Sequence, residues 1–319
     1  MIDYRAFRNS DPPALCNIWR SQPPLRGLMQ PMLPDVLEHH VFAKSFFERT
    51  GLIVAVENER VVGFAHAGFA PAAQPYQLNQ RVGGTALVMA VESPERADVM
   101  QHLLQESEAY LVRHGVVELW GGATREIAPY YLGLYGGSDL RGVLVSDRLQ
   151  MELYQRAGYV VQATSLILHR ELAQFRPPVN REAMQLRRQS ELSKVAEPVA
   201  ENWWDTCLIC GRERDQFQLA ARDRRRVLGT ATFWDIEPLA TSWGVRAAGL
   251  WRLDLADEPN RAALATYLLG ESLFALASTG PSLVEIVVDE NDRIGRDAAA
   301  ALGFQEVDRM VQLKKRLSE

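Results

Sequence analysis

The spacing of apolar residues changes abruptly within residues 85–111. An apolar, β-prone run ends at Val91, and a polar turn that contains Pro94 follows it. Beyond the turn, apolar residues recur at a helical spacing, at Val99, Leu103, Leu104 and Leu111. The pattern predicts a strand, a tight turn and a helix. In this arrangement the backbone N–H groups at the start of the helix point toward an anion.

The same pattern occurs again 165 residues later. The residues that match without a gap are Pro94, Arg96, Ala97, Leu103, Leu104, Glu106, Ser107 and Leu111, and their partners are Pro259, Arg261, Ala262, Leu268, Leu269, Glu271, Ser272 and Leu276. Eight identities at one offset are hard to ascribe to chance. We therefore expect the chain to contain two copies of one fold.

The remaining pattern completes the first copy on both sides of this unit. It predicts a strand at 2–7, a helix from Pro12, a helix at 35–49, a hairpin of strands 52–57 and 60–67, a strand at 116–120, a helix at 147–156 and a strand at 159–169. Gly158 just past the last helix is a stop signal.

A linker is predicted at 173–180, where Pro177 and Pro178 interrupt the pattern, between a domain at 1–172 and a domain at 181–319. The second copy is predicted to have strands at 184–188, 226–231, 250–255, 284–288 and 307–314 and a helix at 297–302. It has about 20 residues fewer before its last helix than the first copy. The missing piece corresponds to a loop rich in tyrosine and glycine that begins near residue 129.

Composition restricts the class of protein. The chain has 319 residues, 47% of them hydrophobic, and a net charge of −5, which argues against nucleic acid or an anionic membrane as a partner. No apolar run approaches the ~18 residues of a membrane helix. The N-terminus lacks the basic and apolar regions of a signal peptide. We therefore expect a cytoplasmic protein, and three cysteines fit a reducing compartment without disulfides.

Cys207 and Cys210 have CxxC spacing. One such pair is half of a tetrahedral zinc site, and the sequence offers no evident second half. We therefore interpret the pair as two half-buried thiols at the end of a helix, and no metal site is predicted.

The order of elements resembles that of the GNAT acetyltransferase superfamily, and it does so twice over nearly the whole chain. The two Gly-aromatic helix endings, LYQRAGY at 153–159 and AAAALGF at 298–304, support the resemblance. It implies a mixed α/β fold of two tandem GNAT-like domains. Each would be a twisted, mostly antiparallel sheet with helices on both faces.

In that family, acetyl-CoA lies where the fourth and fifth strands splay apart, and its pyrophosphate is held by the turn that opens the next helix. The resemblance therefore implies these cofactor-binding residues: Met89, Val91, Arg96, Ala97, Asp98, Val99 and Met100. Asp98 and Met100 stand where the family has glycines, and Ala263 and Ala265 do so in the second copy. A side chain there hinders close approach of a phosphate, and Asp98 adds a negative charge.

The resemblance also implies the catalytic residues. The family's usual general acid is a tyrosine four residues before the Gly-aromatic pair, and this position holds Tyr154 in the first copy and Ala299 in the second. A general base near the end of the fourth strand would be Glu92. The alternative interpretation of Tyr154 is a helix tyrosine packed under the loop.

Two functional hypotheses follow. In the first, the N-terminal domain transfers an acetyl group from acetyl-CoA to an amine of a small molecule or peptide. The C-terminal domain would then complete the cleft or form a homodimer. In the second, both domains have lost catalysis and the protein is a binding or scaffold module. Retention of Tyr154 favours the first hypothesis, and the loss of glycines in both copies favours the second.

Overall fold

The computed structural model describes residues 1–223 and 226–317. Within these residues, thirteen strands form one continuous mixed sheet with helices packed on it. The predicted fold class, a mixed α/β sheet, is confirmed. In the same part of the chain, no helix has the length and apolar character needed to cross a membrane.

The strands in chain order are β1 (Ile2–Ala6), β2 (Leu52–Glu57), β3 (Arg60–Pro71), β4 (Leu78–Ala90), β5 (Glu118–Gly121), β6 (Val143–Leu144), β7 (Val160–Glu171), β8 (Ser190–Val195), β9 (Arg214–Ala221), β10 (Val227–Asp235), β11 (Ala247–Leu255), β12 (Leu283–Asp289) and β13 (Gln305–Arg316). The helices are α1 (Pro12–Arg20), α2 (Pro34–Leu37), α3 (Arg96–Arg113), α4 (Arg148–Arg156), α5 (Arg181–Gln189), α6 (Trp203–Ile209), α7 (Glu237–Thr241), α8 (Arg261–Leu276) and α9 (Arg293–Ala301).

The repeat in the sequence corresponds to repeated local structure. Helices α3 and α8 follow β4 and β11, and they begin at the matched residues Arg96 and Arg261. Helices α4 and α9 begin with the same N-cap. The side chain of Asp147 accepts a hydrogen bond from the backbone N–H of Gln150, and Asp292 accepts one from Gly295.

The last strands of the two halves are exchanged. Strand β13 lies between β5 and β7, and β7 lies between β13 and β12. Leu313 of β13 pairs with Gly121 of β5, and Ile167 of β7 pairs with Val287 of β12, both antiparallel. The ranges 1–172 and 181–319 follow the sequence repeat, whereas the hydrogen-bonded sheet runs across both.

Two elements predicted from the sequence are wrong. The helix expected at 35–49 is only α2 and a π-helical turn at Glu38–Phe42, because the chain then turns to pack Phe42 and Phe47 around Phe7. The strand expected at 184–188 lies within α5. The side chain of Asn180 caps that helix by accepting a hydrogen bond from Ala183 N–H at 2.7 Å, and the strand β8 follows it.

The tyrosine- and glycine-rich loop, residues 122–142, forms the joint between the halves and is almost entirely buried. Arg125 donates a hydrogen bond to the carbonyl of Trp251 at 2.9 Å and lies over its ring at 3.8 Å. Trp234 donates from its indole N–H to the carbonyl of Ser138 at 3.0 Å. The loop thus attaches the first half to β10 and β11 of the second.

Candidate active site

Strands β4 and β5 pair in parallel and then separate. Their last pair is Thr85 with Gly121, where β5 ends, whereas β4 continues to Ala90. The register of β4 on β3 skips Ala86, which is a bulge at the point of separation. Beyond Thr85, β4 therefore has an edge that β5 does not cover.

A cavity of about 210 Å³ lies between the start of α3 and α4, and we call it the α3–α4 cavity. Its lining includes Ser93, Pro94, Arg96, Ala97 and Met100 from the turn and α3, and Leu149, Glu152, Leu153 and Arg156 from α4. No side chain caps the first turn of α3, whose N-cap residue is Glu95. The lining therefore combines the uncapped start of α3 with two arginines, Arg96 of α3 and Arg156 of α4.

Arg96 is the more buried of these two arginines. Its Nη2 donates to the side-chain oxygen of Gln22, while its Nε is buried and has no hydrogen-bond partner. Burial lowers the pKa of the guanidinium, and the charges of Glu92 and Asp147 oppose that shift. An unpaired buried N–H is costly, so this atom is a ready donor to an anion.

A second cavity, of about 130 Å³, lies on the other side of α4, and we call it the Met89 cavity. Its lining is Gln22, Pro23, Leu25 and Leu28 from the loop after α1, Met89 from β4, and Ser146, Asp147, Arg148, Leu149 and Gln150 from the start of α4. Asp147 is a buried carboxylate in this lining. Burial raises its pKa, and Tyr135, which donates to it at 3.0 Å, opposes that rise.

Leu149 lines both cavities, and two glutamines lie at their boundary. The side-chain amide of Gln150 donates to the carbonyl of Val88 on β4, while its own oxygen is buried without a partner. Gln22 donates to the carbonyl of Ala90 at 3.1 Å and accepts from Arg96. Two side-chain amides in the lining of the Met89 cavity thus donate hydrogen bonds to backbone carbonyls of β4.

Tyr154 lies at the point where β4 and β5 separate. Its side chain is fully buried, and its hydroxyl donates to the carbonyl of Thr85 at 2.7 Å. The ring fits against Gly121, where a Cβ atom would come within 2.7 Å of it. Burial raises the pKa of Tyr154 well above its ordinary value, so the phenol holds its proton.

The other residues predicted from the sequence fall in different places. Arg96, Ala97 and Met100 line the α3–α4 cavity, and Met89 lines the second one. Val91 is half-buried just past the end of β4, and Glu92 is exposed on the turn. Asp98 is exposed and Val99 is buried against the sheet, and neither is in the lining of the α3–α4 cavity.

Sequence reasoning missed Gln150 and Asp147. Gln150 precedes Tyr154 by four residues and therefore shares its helical face. A glutamine on the buried face of a short helix was the available signal for this site. In the sequence, Asp147 looks like any other N-cap residue of a helix. Only the tertiary structure shows that the loop after α1 packs over it.

The equivalent region of the second half differs. Gly295 and Ala299 occupy the positions of Gln150 and Tyr154, and α9 packs closely on α8. Arg125 of the first half donates a hydrogen bond to the backbone carbonyl of Trp251. Trp251 is the bulge residue at the point where β11 separates from β12. The space that separates α3 from α4 is therefore largely closed between α8 and α9.

Among the described residues, no group of three or more His, Cys, Asp or Glu side chains could hold a metal ion. Cys207 is half-buried near the end of α6, and Cys210 is exposed just past it. The hydroxyl of Ser45 lies 3.2 Å from the Cys207 sulfur.

Solved structures with the same overall fold are tandem GNAT proteins and their relatives. A GCN5-related glucosamine N-acetyltransferase region of a fungal multi-domain GH3 β-N-acetylglucosaminidase matches 99% of this chain, with a TM-score of 0.71 and 13% identity. The match covers 38% of that longer protein. A tandem GNAT protein of the clavulanic acid biosynthesis pathway matches over 100% of both chains, with a TM-score of 0.66 and 13% identity.

A GCN5-related N-acetyltransferase from Sphaerobacter thermophilus matches 99% of this chain and 95% of its own, with a TM-score of 0.64 and 13% identity. No protein-family model and no curated protein matches the sequence. The identities are low, so the comparisons establish the fold. The chain has a tandem GNAT fold, as predicted.

Proposed function

We propose that the first half binds acetyl-CoA between α3 and α4 and catalyses acetyl transfer to a primary amine. The observation that carries the proposal is the uncovered edge of β4, with the α3–α4 cavity on one side of Leu149 and the Met89 cavity on the other. The Met89 cavity reaches β4 at Met89, and the α3–α4 cavity adjoins it at Leu149, so two substrates can bind next to each other near this strand edge. Two structural neighbours named as GCN5-related N-acetyltransferases, one of them for glucosamine, support the same reaction.

The residues present fit the diphosphate of acetyl-CoA. The unpartnered Nε of Arg96, the exposed guanidinium of Arg156 and the uncapped start of α3 all supply positive charge or donors at the α3–α4 cavity. Asp98 is exposed and is not in the lining, whereas Glu152 is in the lining, lies 3.5 Å from Arg156 and is the charge that a diphosphate would have to displace from this arginine. Met100 rather than glycine lines the cavity, which reduces the room near the backbone.

The edge of β4 fits an amide-bearing chain. The carbonyl of Val88 already accepts a hydrogen bond from an amide N–H, that of Gln150. A pantetheine amide can make the same bond once this side chain rotates away. Because the oxygen of Gln150 is buried without a partner, the arrangement carries a cost of about 1–3 kcal/mol that favours displacement.

Bound acetyl-CoA would supply an acetyl group activated as a thioester. The chain's own part is to orient that group on β4 and to supply a proton to the leaving sulfur. Tyr154 suits the second role, because it holds its proton at neutral pH and its hydroxyl lies where the strands separate. The second half, with Ala299 at that position, has a structural role in this proposal.

Calorimetric titration of the whole chain with acetyl-CoA tests the proposal. The matched variants are Arg96→Gln in α3 and Arg261→Gln at the equivalent start of α8. We expect one site per chain. Arg96→Gln should weaken binding at least about tenfold, because a hydrogen bond to a charged group is worth ~1.5–3 kcal/mol. Arg261→Gln should leave it unchanged.

Two results would count against the proposal. Binding that depends on Arg261 and not on Arg96 would move the cofactor to the second half. Absence of any acetyl-CoA binding would instead favour the hypothesis of a non-catalytic binding or scaffold protein.

A further inference from the structure

The Met89 cavity differs in character from the α3–α4 cavity. Five of its ten lining residues are Pro23, Leu25, Leu28, Met89 and Leu149, whose side chains are apolar. Leu28 and Met89 are buried, whereas Pro23, Ser146 and Arg148 are exposed and mark the mouth. The buried part of the lining therefore has an apolar side, Leu28 and Met89, that faces two polar side chains, Asp147 and Gln150.

We infer that the acetyl acceptor is a compact primary amine whose apolar body fills the Met89 cavity and whose nitrogen faces Asp147. The inference rests on the proposed function and names its substrate class. It also assigns Asp147, rather than the exposed Glu92, as the base of the reaction.

The size of the cavity limits the group that carries the amine. Its volume is about 130 Å³, and an engineered apolar cavity of about 150 Å³ in another protein accommodates benzene. A single aromatic ring or a short branched alkyl group therefore fits at the base. A hexosamine presents several hydroxyl groups there, and burying each without a partner costs roughly 1–3 kcal/mol. The cavity selects for apolar amines over amino sugars.

Asp147 provides the charge that the acceptor needs. Its carboxylate is buried and accepts hydrogen bonds from Gln150 N–H at 3.2 Å and from the Tyr135 hydroxyl at 3.0 Å. Each carboxylate oxygen can accept a further bond, so an ammonium group can still be held. Burial raises the pKa of Asp147, which makes it a stronger base than an exposed carboxylate.

The step balances as follows. The carboxylate of Asp147 takes one proton from the ammonium, and the freed nitrogen attacks the thioester carbonyl carbon. A C–N bond forms and the C–S bond breaks, so the sulfur leaves with the electron pair and receives a proton from Tyr154. The nitrogen carries a second proton and a positive charge after the attack, and it passes that proton to the phenolate of Tyr154, which restores the acid. Asp147 releases its proton to solvent through the mouth.

The second half offers a matched control for Asp147. Asp292 caps α9 through Gly295 N–H at 3.0 Å, just as Asp147 caps α4, but it is not in the lining of the Met89 cavity. Asparagine is as good an N-cap as aspartate, so Asp147→Asn and Asp292→Asn should both fold. The two variants therefore separate a chemical role of the carboxylate from a structural one.

The first experiment measures kcat/KM for acetylation of benzylamine across pH, together with acetyl-CoA affinity. We expect Asp147→Asn to lower kcat/KM by on the order of 10²-fold or more. The variant should also lose the acidic limb of the pH profile and keep its acetyl-CoA affinity. Asp292→Asn should match wild type. Equal activity of Asp147→Asn and wild type would overturn the role of this carboxylate.

The second experiment compares acceptors. Benzylamine and isobutylamine should be acetylated at least about tenfold more efficiently than glucosamine, because burial of unpaired hydroxyls is penalised. Leu25→Ala, which enlarges the cavity, should raise kcat/KM for 1-naphthylmethylamine by about tenfold. Leu33→Ala, an exposed leucine on the same loop outside the lining, should not.

These measurements separate a wrong substrate class from a wrong proposed function. A protein that binds acetyl-CoA but prefers glucosamine to both apolar amines would overturn this inference and leave the proposed function in place. A protein that binds no acetyl-CoA would overturn the proposed function itself.

Discussion

The side-chain amide of Gln150 donates a hydrogen bond to the backbone carbonyl of Val88, on the part of β4 that β5 does not pair. This bond is the one that an incoming pantetheine amide would make. Under the proposed function, Gln150 therefore competes with acetyl-CoA for the strand edge. The equivalent residue of the second half, Gly295, cannot make such a bond.

Removing this competitor should tighten cofactor binding. A net hydrogen bond is worth about 0.5–1.5 kcal/mol, so Gln150→Ala should lower the Kd for acetyl-CoA by roughly 2- to 10-fold. Calorimetric titration measures the change. Gln155→Ala, an exposed glutamine on the same helix, is the control and should match wild type. Weaker binding by Gln150→Ala would mean that Gln150 contacts the cofactor rather than competing with it.

Tyr154→Phe tests general acid catalysis. Loss of the hydroxyl should lower kcat by about 10²–10⁴-fold, with little effect on acetyl-CoA affinity, because proton donation matters only in the transition state. The carbonyl of Thr85 keeps its hydrogen bond from Gly122 N–H at 2.9 Å, so the protein should remain folded.

Tyr110→Phe is the matched control for that variant. Tyr110 is a buried tyrosine on α3 whose hydroxyl lies 3.3 Å from that of Thr50. Each variant should lose about 0.5–1.5 kcal/mol of stability, and only Tyr154→Phe should lose activity. A folded and fully active Tyr154→Phe protein would remove this residue from the mechanism.

The shared sheet predicts how fragments of the chain behave. A fragment of residues 1–178 lacks β13, so β5 and β7 each lose a neighbouring strand. Exposed strand edges promote aggregation, so either fragment alone should be insoluble or unfolded. Co-expression of residues 1–178 with residues 179–319 should give a soluble one-to-one complex on size-exclusion chromatography. A monomeric 1–178 fragment that unfolds cooperatively would contradict this prediction and show that β7 can take the place of β13 beside β5.

Because His66 is buried, we expect the protein to lose stability in acid. It is fully buried, its Nδ1 lies 2.9 Å from the Tyr131 hydroxyl, and its ring stacks on Tyr130 at 3.7 Å. Burial lowers its pKa to about 3 from 6.5. The unfolded chain therefore binds a proton that the folded protein does not, and stability falls as pH drops from about 6.5 toward 3.

The His66 contribution can be measured by urea unfolding at pH 7.5 and pH 5. His66 should account for a loss of about 2 kcal/mol between these two pH values. His66→Phe keeps the stacking and removes the titration. The difference in free energy of unfolding between variant and wild type at pH 7.5 gives the packing cost. The change in that difference at pH 5 gives the contribution of His66 protonation. An unchanged difference would show that the pKa of His66 is the same in the folded and the unfolded chain.

The sequence predicted most local elements correctly but not how the last strands are arranged. The strand–turn–helix units were identifiable because their apolar residues repeat at one offset. Strands β7 and β13, however, hold the same place in the two repeats. Each can therefore pair in either sheet, and only tertiary packing decides between them. The prediction of a strand at 184–188 was wrong because apolar and polar residues alternate in Met-Gln-Leu-Arg as they do in a strand. In the structure, the N-cap at Asn180 starts a helix that includes these residues.

The site was predictable only in part. The resemblance to the GNAT family implied Arg96 and Ala97 at the turn and Tyr154 four residues before Gly158, and their roles stay predictions. Asp147 and Gln150 depend on contacts with Tyr135 and Val88, which come from other parts of the chain. No spacing rule along the sequence contains such contacts.

The exchange of β7 and β13 also constrains how this gene can change. Deleting either repeat would remove a strand with which the other pairs, so a single copy would need its own last strand to take the vacant place. Leu313 of the second repeat lies against Gly121, directly beside the ring of Tyr154. Under the proposed function, selection on acetyl transfer in the first repeat therefore also acts on the last strand of the second, whose own residue at the tyrosine position is Ala299.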